Sequence, residues 1–284
     1  MKIFLLCFII TIPVFAELLE PIHSSISTYL ESKDYTHSKQ KTDANIYGVG
    51  ADLHFSNMAF KVAYEYGHSN TIQPPLSEDL EVQKLFTKLS YGFQNNFSFD
   101  LHYLNIISDN IAPTEKTQTY GVGVTYTFSK ISMALHYYYS DYQIFSSQQN
   151  DLSITSNYTI EDINLKATLL GTFISLKDKD QSTFSSNAQE NYFTSAIKLH
   201  AHYKTFHVGV GAYIGKRAFA VMNEGFKIQH HAMEFDRTYA LGFGKTFKPF
   251  VLRAQYIYQR AEELPNKNEN VSINILRLIA NYKF

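Results

Sequence analysis

Several residue groupings in this chain have the types and spacing that chemistry needs. Gly-x-Gly pairs occur in Tyr47-Gly48-Val49-Gly50, Tyr120-Gly121-Val122-Gly123, Val208-Gly209-Val210-Gly211 and Leu241-Gly242-Phe243-Gly244. Such pairs can open a loop whose amides cradle a phosphate. None is followed by a third glycine at the dinucleotide spacing and none opens a helical pattern, so each pair is expected inside a strand. His200 and His202 share one strand face at i, i+2, a spacing that suits a metal ion. No third ligand can be assigned, so no metal and no cofactor are expected. His68-Ser69, and His230-His231 with Glu234, bring together the groups of a hydrolase. The G-x-S-x-G, H-E-x-x-H and P-loop patterns are all missing, and a solvated loop histidine is the preferred reading, so no enzyme is expected.

The elements that must carry these groups follow a period of two. In 58–66, Met58, Phe60, Val62, Tyr64 and Tyr66 share one face, and Ala59, Lys61, Ala63 and Glu65 the other. In 97–103, Phe97, Phe99, Leu101 and Tyr103 oppose Ser98, Asp100 and His102. In 131–139, Ile131, Met133, Leu135, Tyr137 and Tyr139 oppose Ser132, Ala134, His136 and Tyr138. These are strands with one apolar and one polar face. Short links are expected at Ser56-Asn57, Gln94-Asn95-Asn96, Ser129-Lys130, Gly171-Thr172, Thr205 and Phe247-Lys248-Pro249. Longer polar stretches alternate with them at 36–43, 70–80, 109–116, 146–157, 180–190, 217–231 and 261–270. The count is about fourteen strands, or about twelve if 158–176 is a single strand.

Composition narrows the class. Tyr 21 and Phe 22 make a heavy aromatic load without any Trp, and the formal net charge of −1 disfavours a nucleic-acid partner. Lys2, the apolar run 3–12 and the small residue Ala16 form a secretory leader, 1–16, that encloses the only cysteine, Cys7. The remainder, 17–284, is read as one barrel. Short links on one side and long loops on the other are the layout of a membrane barrel, which must close because lipid offers no hydrogen bonds. A soluble sandwich also alternates, but it would not concentrate Tyr and Phe toward strand ends.

The final strand, VSINILRLIANYKF (271–284), puts Leu276, Leu278, Ala280, Tyr282 and Phe284 on one face. It resembles the C-terminal signal of Gram-negative outer-membrane β-barrel proteins, which end in an aromatic residue read by the barrel-assembly machinery. In length and strand count the chain is similar to the small monomeric fourteen-strand porins. The resemblance implies an all-β, antiparallel up-and-down barrel in the bacterial outer membrane, with Tyr282 and Phe284 as the assembly signal. It also implies lipid and lipopolysaccharide as surroundings and small hydrophilic solutes or ions as cargo, diffusing passively through a porin-like channel. Outer-membrane phospholipases place a His two residues before the Ser on one strand face, a pattern missing at His68-Ser69.

Strand parity then assigns the lumen. Charge facing lipid costs about 2–4 kcal/mol at midplane for Arg or Lys, so Lys61, Lys88, Lys166, Lys198, Arg217, Arg253 and Arg277 are expected inside. Glu65, Asp100, His102, His136, His200 and His202 share that parity, as do Asp52, Asp162 and Asp236. Arg253 and Arg277 on the last two strands are expected to form a basic cluster that favours anions, and the histidines to make conductance pH-sensitive. Arg237, on the opposite parity, is expected to meet lipopolysaccharide phosphates. About eight strands are just filled by side chains and 16–18 leave an aqueous channel, so about fourteen lies nearer the open end. The longest loop, 217–231, is the expected restriction. Two rivals stand beside this reading: a rim enzyme (lipase, deacylase or protease), and a barrel that displays loops as a structural or adhesive surface.

Overall fold

The computed structural model describes residues 23–73, 76–93, 95–111 and 113–284; the expected leader, 1–16, lies outside them. The barrel strands are β1 (His23–Thr36), β2 (Lys41–His54), β3 (Met58–Thr71), β4 (Leu80–Gly92), β5 (Phe97–Asp109), β6 (Gln118–Phe128) and β7 (Ile131–Tyr142). They continue as β8 (Phe145–Ile160), β9 (Ile163–Lys177), β10 (Asn191–Tyr203) and β11 (Phe206–Arg217). Two short strands, β12 (Val221–Met222) and β13 (Lys227–Ile228), pair with each other inside the next connection. The barrel then resumes with β14 (Met233–Phe247), β15 (Phe250–Glu263) and β16 (Asn268–Lys283). Each barrel strand pairs antiparallel with its neighbour in the chain, and β1 pairs with β16, so fourteen strands close into one barrel.

Closure leaves none of the fourteen barrel strands with an open edge, which is what hydrocarbon demands. At the seam, Ser24 and Phe284 exchange backbone hydrogen bonds of 3.2 and 3.0 Å. The terminal aromatics line that seam from outside: Tyr282 stacks between Phe250 and Phe284, with ring centres 5.0 and 6.0 Å apart.

The side-chain faces decide between a membrane barrel and a soluble sandwich. The large apolar residues that a sandwich would bury are exposed, as at Leu30 (51%), Val49 (50%), Leu135 (55%) and Leu278 (50%). On the opposite face Glu31, Lys84, His102, Gln149 and Arg217 are buried. A fold that turns its leucines outward and its charges inward is solvated by lipid. Aromatics gather at the end of the short turns, among them Phe93, Phe97, Tyr126, Phe128, Tyr203, Phe206, Phe247 and Phe250, all exposed.

One hairpin differs from the sequence expectation. The turn falls at Glu161-Asp162, not at Gly171-Thr172, and 146–157 is not a loop but most of β8. Its lumen positions are Ser147, Gln149, Asp151, Ser153 and Thr155. Toward the loop end its outer positions, Ser146, Gln148 and Asn150, are polar too, which hides the alternation. Asp162 consequently lies in the turn rather than in the lumen. Asp236 also departs: a register shift between Phe235 and Arg237 makes it the extra residue of a bulge. It pairs outside with Arg237 (3.2 Å) and Arg260 (3.7 Å).

Candidate functional site in the barrel lumen

The glycine pairs set how the lumen is furnished. In register, Tyr29, Gly48 and Glu65 form one row across β1, β2 and β3. The Tyr29 ring lies flat over Gly48, where a Cβ would stand 2.0 Å from it, and its hydroxyl donates a short hydrogen bond to Glu65. Gly121 and Gly123 on β6 do the same for their neighbours. A Cβ on Gly123 would meet the His136 ring at 2.2 Å, and one on Gly121 the Tyr138 ring at 2.5 Å. Glycine here leaves the floor on which large side chains from the flanking strands lie down and meet.

The connection between β11 and β14, residues 218–232, folds into the lumen rather than over it. Ala218, Phe219, Ala220, Ile228 and Ala232 are buried against Phe86, Leu104, Ile106, Tyr142, Phe145, Ile174 and Leu176 of the barrel wall. Polar anchors fix the register. The Gln149 side chain pairs with the Val221 backbone through two hydrogen bonds of 2.7 and 2.8 Å, as a neighbouring strand would. Glu31, 2% exposed, gathers three cations: Lys227 from the loop at 3.1 Å, Lys33 at 3.2 Å and Arg277, whose Nε donates at 2.6 Å. His230 Nε2 lies 3.3 Å from Asp109, and the Lys41 ammonium donates to His231 Nδ1. Arg217, at the loop's root, is fully buried between Tyr213 and Phe235 and donates to Thr238.

Burial among cations shapes the loop's titratable groups. Desolvation, with Lys84 and Lys41 nearby, holds His230 well below the usual imidazole range; desolvation, with Lys41 and His230, does the same for His231. Lys227 is pushed down to about 7, chiefly by burial and also by Lys33 and Arg277, against the pull of Glu31.

Beside the loop runs a cavity of about 960 Å³. Its lining extends from His202 and His207, near the short turns, to Tyr35, Ser69 and Met233, near the long loops. One wall is basic: Lys166, Lys198, His200, His202 and Arg253 face it from β9, β10 and β15. Among the described residues no carboxylate is paired with Lys166, Lys198 or Arg253; Lys198 lies 5.3 Å over the Tyr213 ring. His202 stacks on His207 at 4.0 Å. Most of the charged residues among the remaining expected lumen positions are paired. Lys61 bonds Asp52 at 2.8 Å, and Glu65 bonds Lys84 at 2.8 Å. Lys88 stands 3.5 Å from Asp100 and 3.4 Å from Glu224 of the loop. Asp100, His102 and His136 converge on one another. Arg277 departs from the expected basic cluster with Arg253, because its guanidinium is bonded to Glu31.

His68 and Ser69 are successive residues of β3 and point to opposite faces, so they do not form a nucleophile and base. His230 and His231 stay together, their ring centres 4.1 Å apart, whereas Glu234 is held by Lys216 at 2.5 Å. Sequence reading missed the apolar patches of the lumen. Phe86, Leu104, Ile106, Ile174 and Leu176 receive the loop, while Val271, Ile273 and Ile275 pack with Met233 and Phe235. The signal was present in stretches apolar at both parities, such as 104–107 and 273–280.

The family model described as Gram-negative porin matches residues 25–170. Among solved structures, a bacterial polysaccharide outer membrane secretin is similar at TM-score 0.58 and 7% identity, covering 92% of this chain and 98% of that one. OccK8 (OprE) of Pseudomonas aeruginosa is similar at TM-score 0.46 and 12% identity, with the same coverage. At these identities likeness concerns the fold alone, and the secretin carries it. No curated protein matches the chain.

Proposed function

The chain belongs to the Gram-negative porin family, and from that premise we propose an anion-favouring diffusion path for small hydrophilic solutes beside the inward-folded loop. As a member of that family it is a porin-like channel of the bacterial outer membrane. The observation that carries the finer reading is the cavity: it runs along the loop through most of the barrel's height, and its unpaired charges are positive. Passage needs no catalysis, since a fixed width and a polar wall sort solutes by size and charge. The pore-lining roles of Lys61, Lys166, Lys198, His200, His202, Arg253 and Arg277, which face the cavity, belong to this proposal, while Glu65, Lys88, Asp100, His102 and His136 lie outside its lining. Three further assignments accompany it. Residues 1–16 are a cleaved leader, Tyr282 and Phe284 are read by the barrel-assembly machinery, and Arg237, on the outer face, meets lipopolysaccharide.

The loop supports a second reading, a barrel held shut that serves as a surface scaffold. The Gln149 clamp and the apolar seat under Phe219 favour it. One measurement separates the two. Full-length protein refolded into a planar bilayer gives discrete current steps if it conducts, and a silent bilayer ends the channel reading in favour of the scaffold.

A further inference from the structure

Asp100 and His102 stand two apart on β5, and His136 stands on β7. All three project into the lumen across β6, and one ligand atom from each lies within 4.8 Å of the others. Each residue is at least nine-tenths buried: 6%, 6% and 8% exposed. The convergence depends on the glycines. Asp100, Gly123 and His136 form one row, and His102, Gly121 and Tyr138 the next. A side chain at 123 would occupy the place of the His136 ring.

The polar atoms of this cluster are underused. Among the described residues neither ring nitrogen of His102 has a hydrogen-bond partner, nor has His136 Nε2, which lies 3.4 Å from Asp100 Oδ2. Such orphaned buried groups are costly unless something satisfies them. The carboxylate is oriented: Ser90 donates to Asp100 Oδ1 at 2.5 Å, which leaves Oδ2 turned toward the imidazoles. The loop tip covers the cluster, since a Cβ on Gly225 would approach His102 Nδ1 to 2.9 Å.

We propose that Asp100, His102 and His136 form a binding site for a borderline divalent transition-metal ion of the Zn²⁺ type. Two imidazoles and one carboxylate are a donor set these ions accept. A hydrogen-bonded carboxylate supplies the outer support such sites use, and Glu224, which shares Lys88 with Asp100, is a further carboxylate on the loop above. Lys88 is the competitor: its ammonium lies 3.5 Å from Asp100 and 3.4 Å from Glu224, and it repels a second cation. The similar set Asp109, His230 and His231 is weaker. Asp109 already accepts from the Thr114 hydroxyl and the Ile111 amide, and Lys41 occupies His231.

The test uses the full chain refolded in detergent, titrated with Zn²⁺ by calorimetry and with Co²⁺ by visible absorption, and needs no conduction. The expected result is one ion per chain with a tetrahedral or five-coordinate Co²⁺ spectrum. His102→Gln and His136→Gln should each weaken binding at least tenfold, whereas a His200→Gln/His202→Gln variant should leave it unchanged. Lys88→Gln should tighten binding, a response that a merely structural cluster would not give. Folding of every variant is checked by heat-modifiable gel mobility. Absence of binding by the wild-type chain, or equal binding by the folded His102→Gln/His136→Gln variant, overturns the proposal.

Discussion

Glu31 shows how a single residue can hold an element in place. The carboxylate is buried and faces Lys33, Lys227 and Arg277 together, so positive charge exceeds negative around it. Removing it leaves three cations without their shared partner, and breaking a buried pair costs about 3–5 kcal/mol. Glu31→Gln should therefore release Lys227 and, with it, the loop. Limited proteolysis of refolded protein should cut within 218–232 in the variant and spare the wild type; equal protection would mean that apolar packing alone seats the loop. Gly48 offers a contrasting case, in which the missing side chain is what matters. Gly48→Ala drives a Cβ into the Tyr29 ring and should cost about 1–3 kcal/mol as overpacking, read as a lower urea midpoint. Part of this was legible in sequence. The Gly-x-Gly pairs read as strand from sequence alone, but which side chain lies over each glycine depends on register between strands, which no local pattern encodes.

At the scale of the element, the loop from Ala218 to Ala232 is the least ordinary part of the barrel. Its length marks it as a restriction, yet its inward fold rests on apolar lumen residues such as Phe86, Ile106 and Ile174, which adjoin apolar outer residues (Leu85, Ile107 and Phe173) and blur the period of two. The strand expected as a loop at 146–157 failed for the converse reason: its outer positions are polar where it rises toward the loops. The loop's own titration gives a pH dependence whose sign can be worked out. His230 and His231 are held below the ordinary imidazole value by burial and by Lys41 and Lys84, with Asp109 the facing carboxylate and Lys33 close by. A depressed value in the docked state means docking is fully supported above about pH 6.5 and loses support as pH falls toward the depressed values. Lys227 acts in the same direction. Docked it titrates at about 7, against 10.5 for a free lysine, so docking loses support as pH falls between those values and loses nothing further below them. Acid should therefore loosen the loop. Single-channel currents recorded from pH 8 to pH 5 should show rising open probability, and His230→Gln/His231→Gln should flatten the response. An unchanged open probability in the wild-type chain would show that the latch histidines do not control the loop.

For the molecule as a whole, the class was readable from period-two alternation, short and long connections and the aromatic end of the last strand, because lipid imposes these on any barrel. Charge balance was less readable. Parity placed the ionisable residues on the lumen face, but only the folded register shows which are matched. Glu31 pairs with Arg277 and Asp52 faces Lys61, whereas among the described residues Lys166, Lys198 and Arg253 stand along β9, β10 and β15 with no paired carboxylate. The net field in the cavity is positive, and cationic walls favour anions. Screening tells how the preference should behave. The Debye length is about 10 Å at 0.1 M salt and about 3 Å at 1 M, so fixed charges reach across the cavity only in dilute solution. Reversal potentials under a KCl gradient centred near 0.1 M should report anion preference, and a gradient at tenfold higher salt should shrink it. Lys198→Glu/Arg253→Glu should shift the dilute-salt potential toward cations. A potential near zero at low salt, unmoved by those substitutions, would place the conducting path away from this wall.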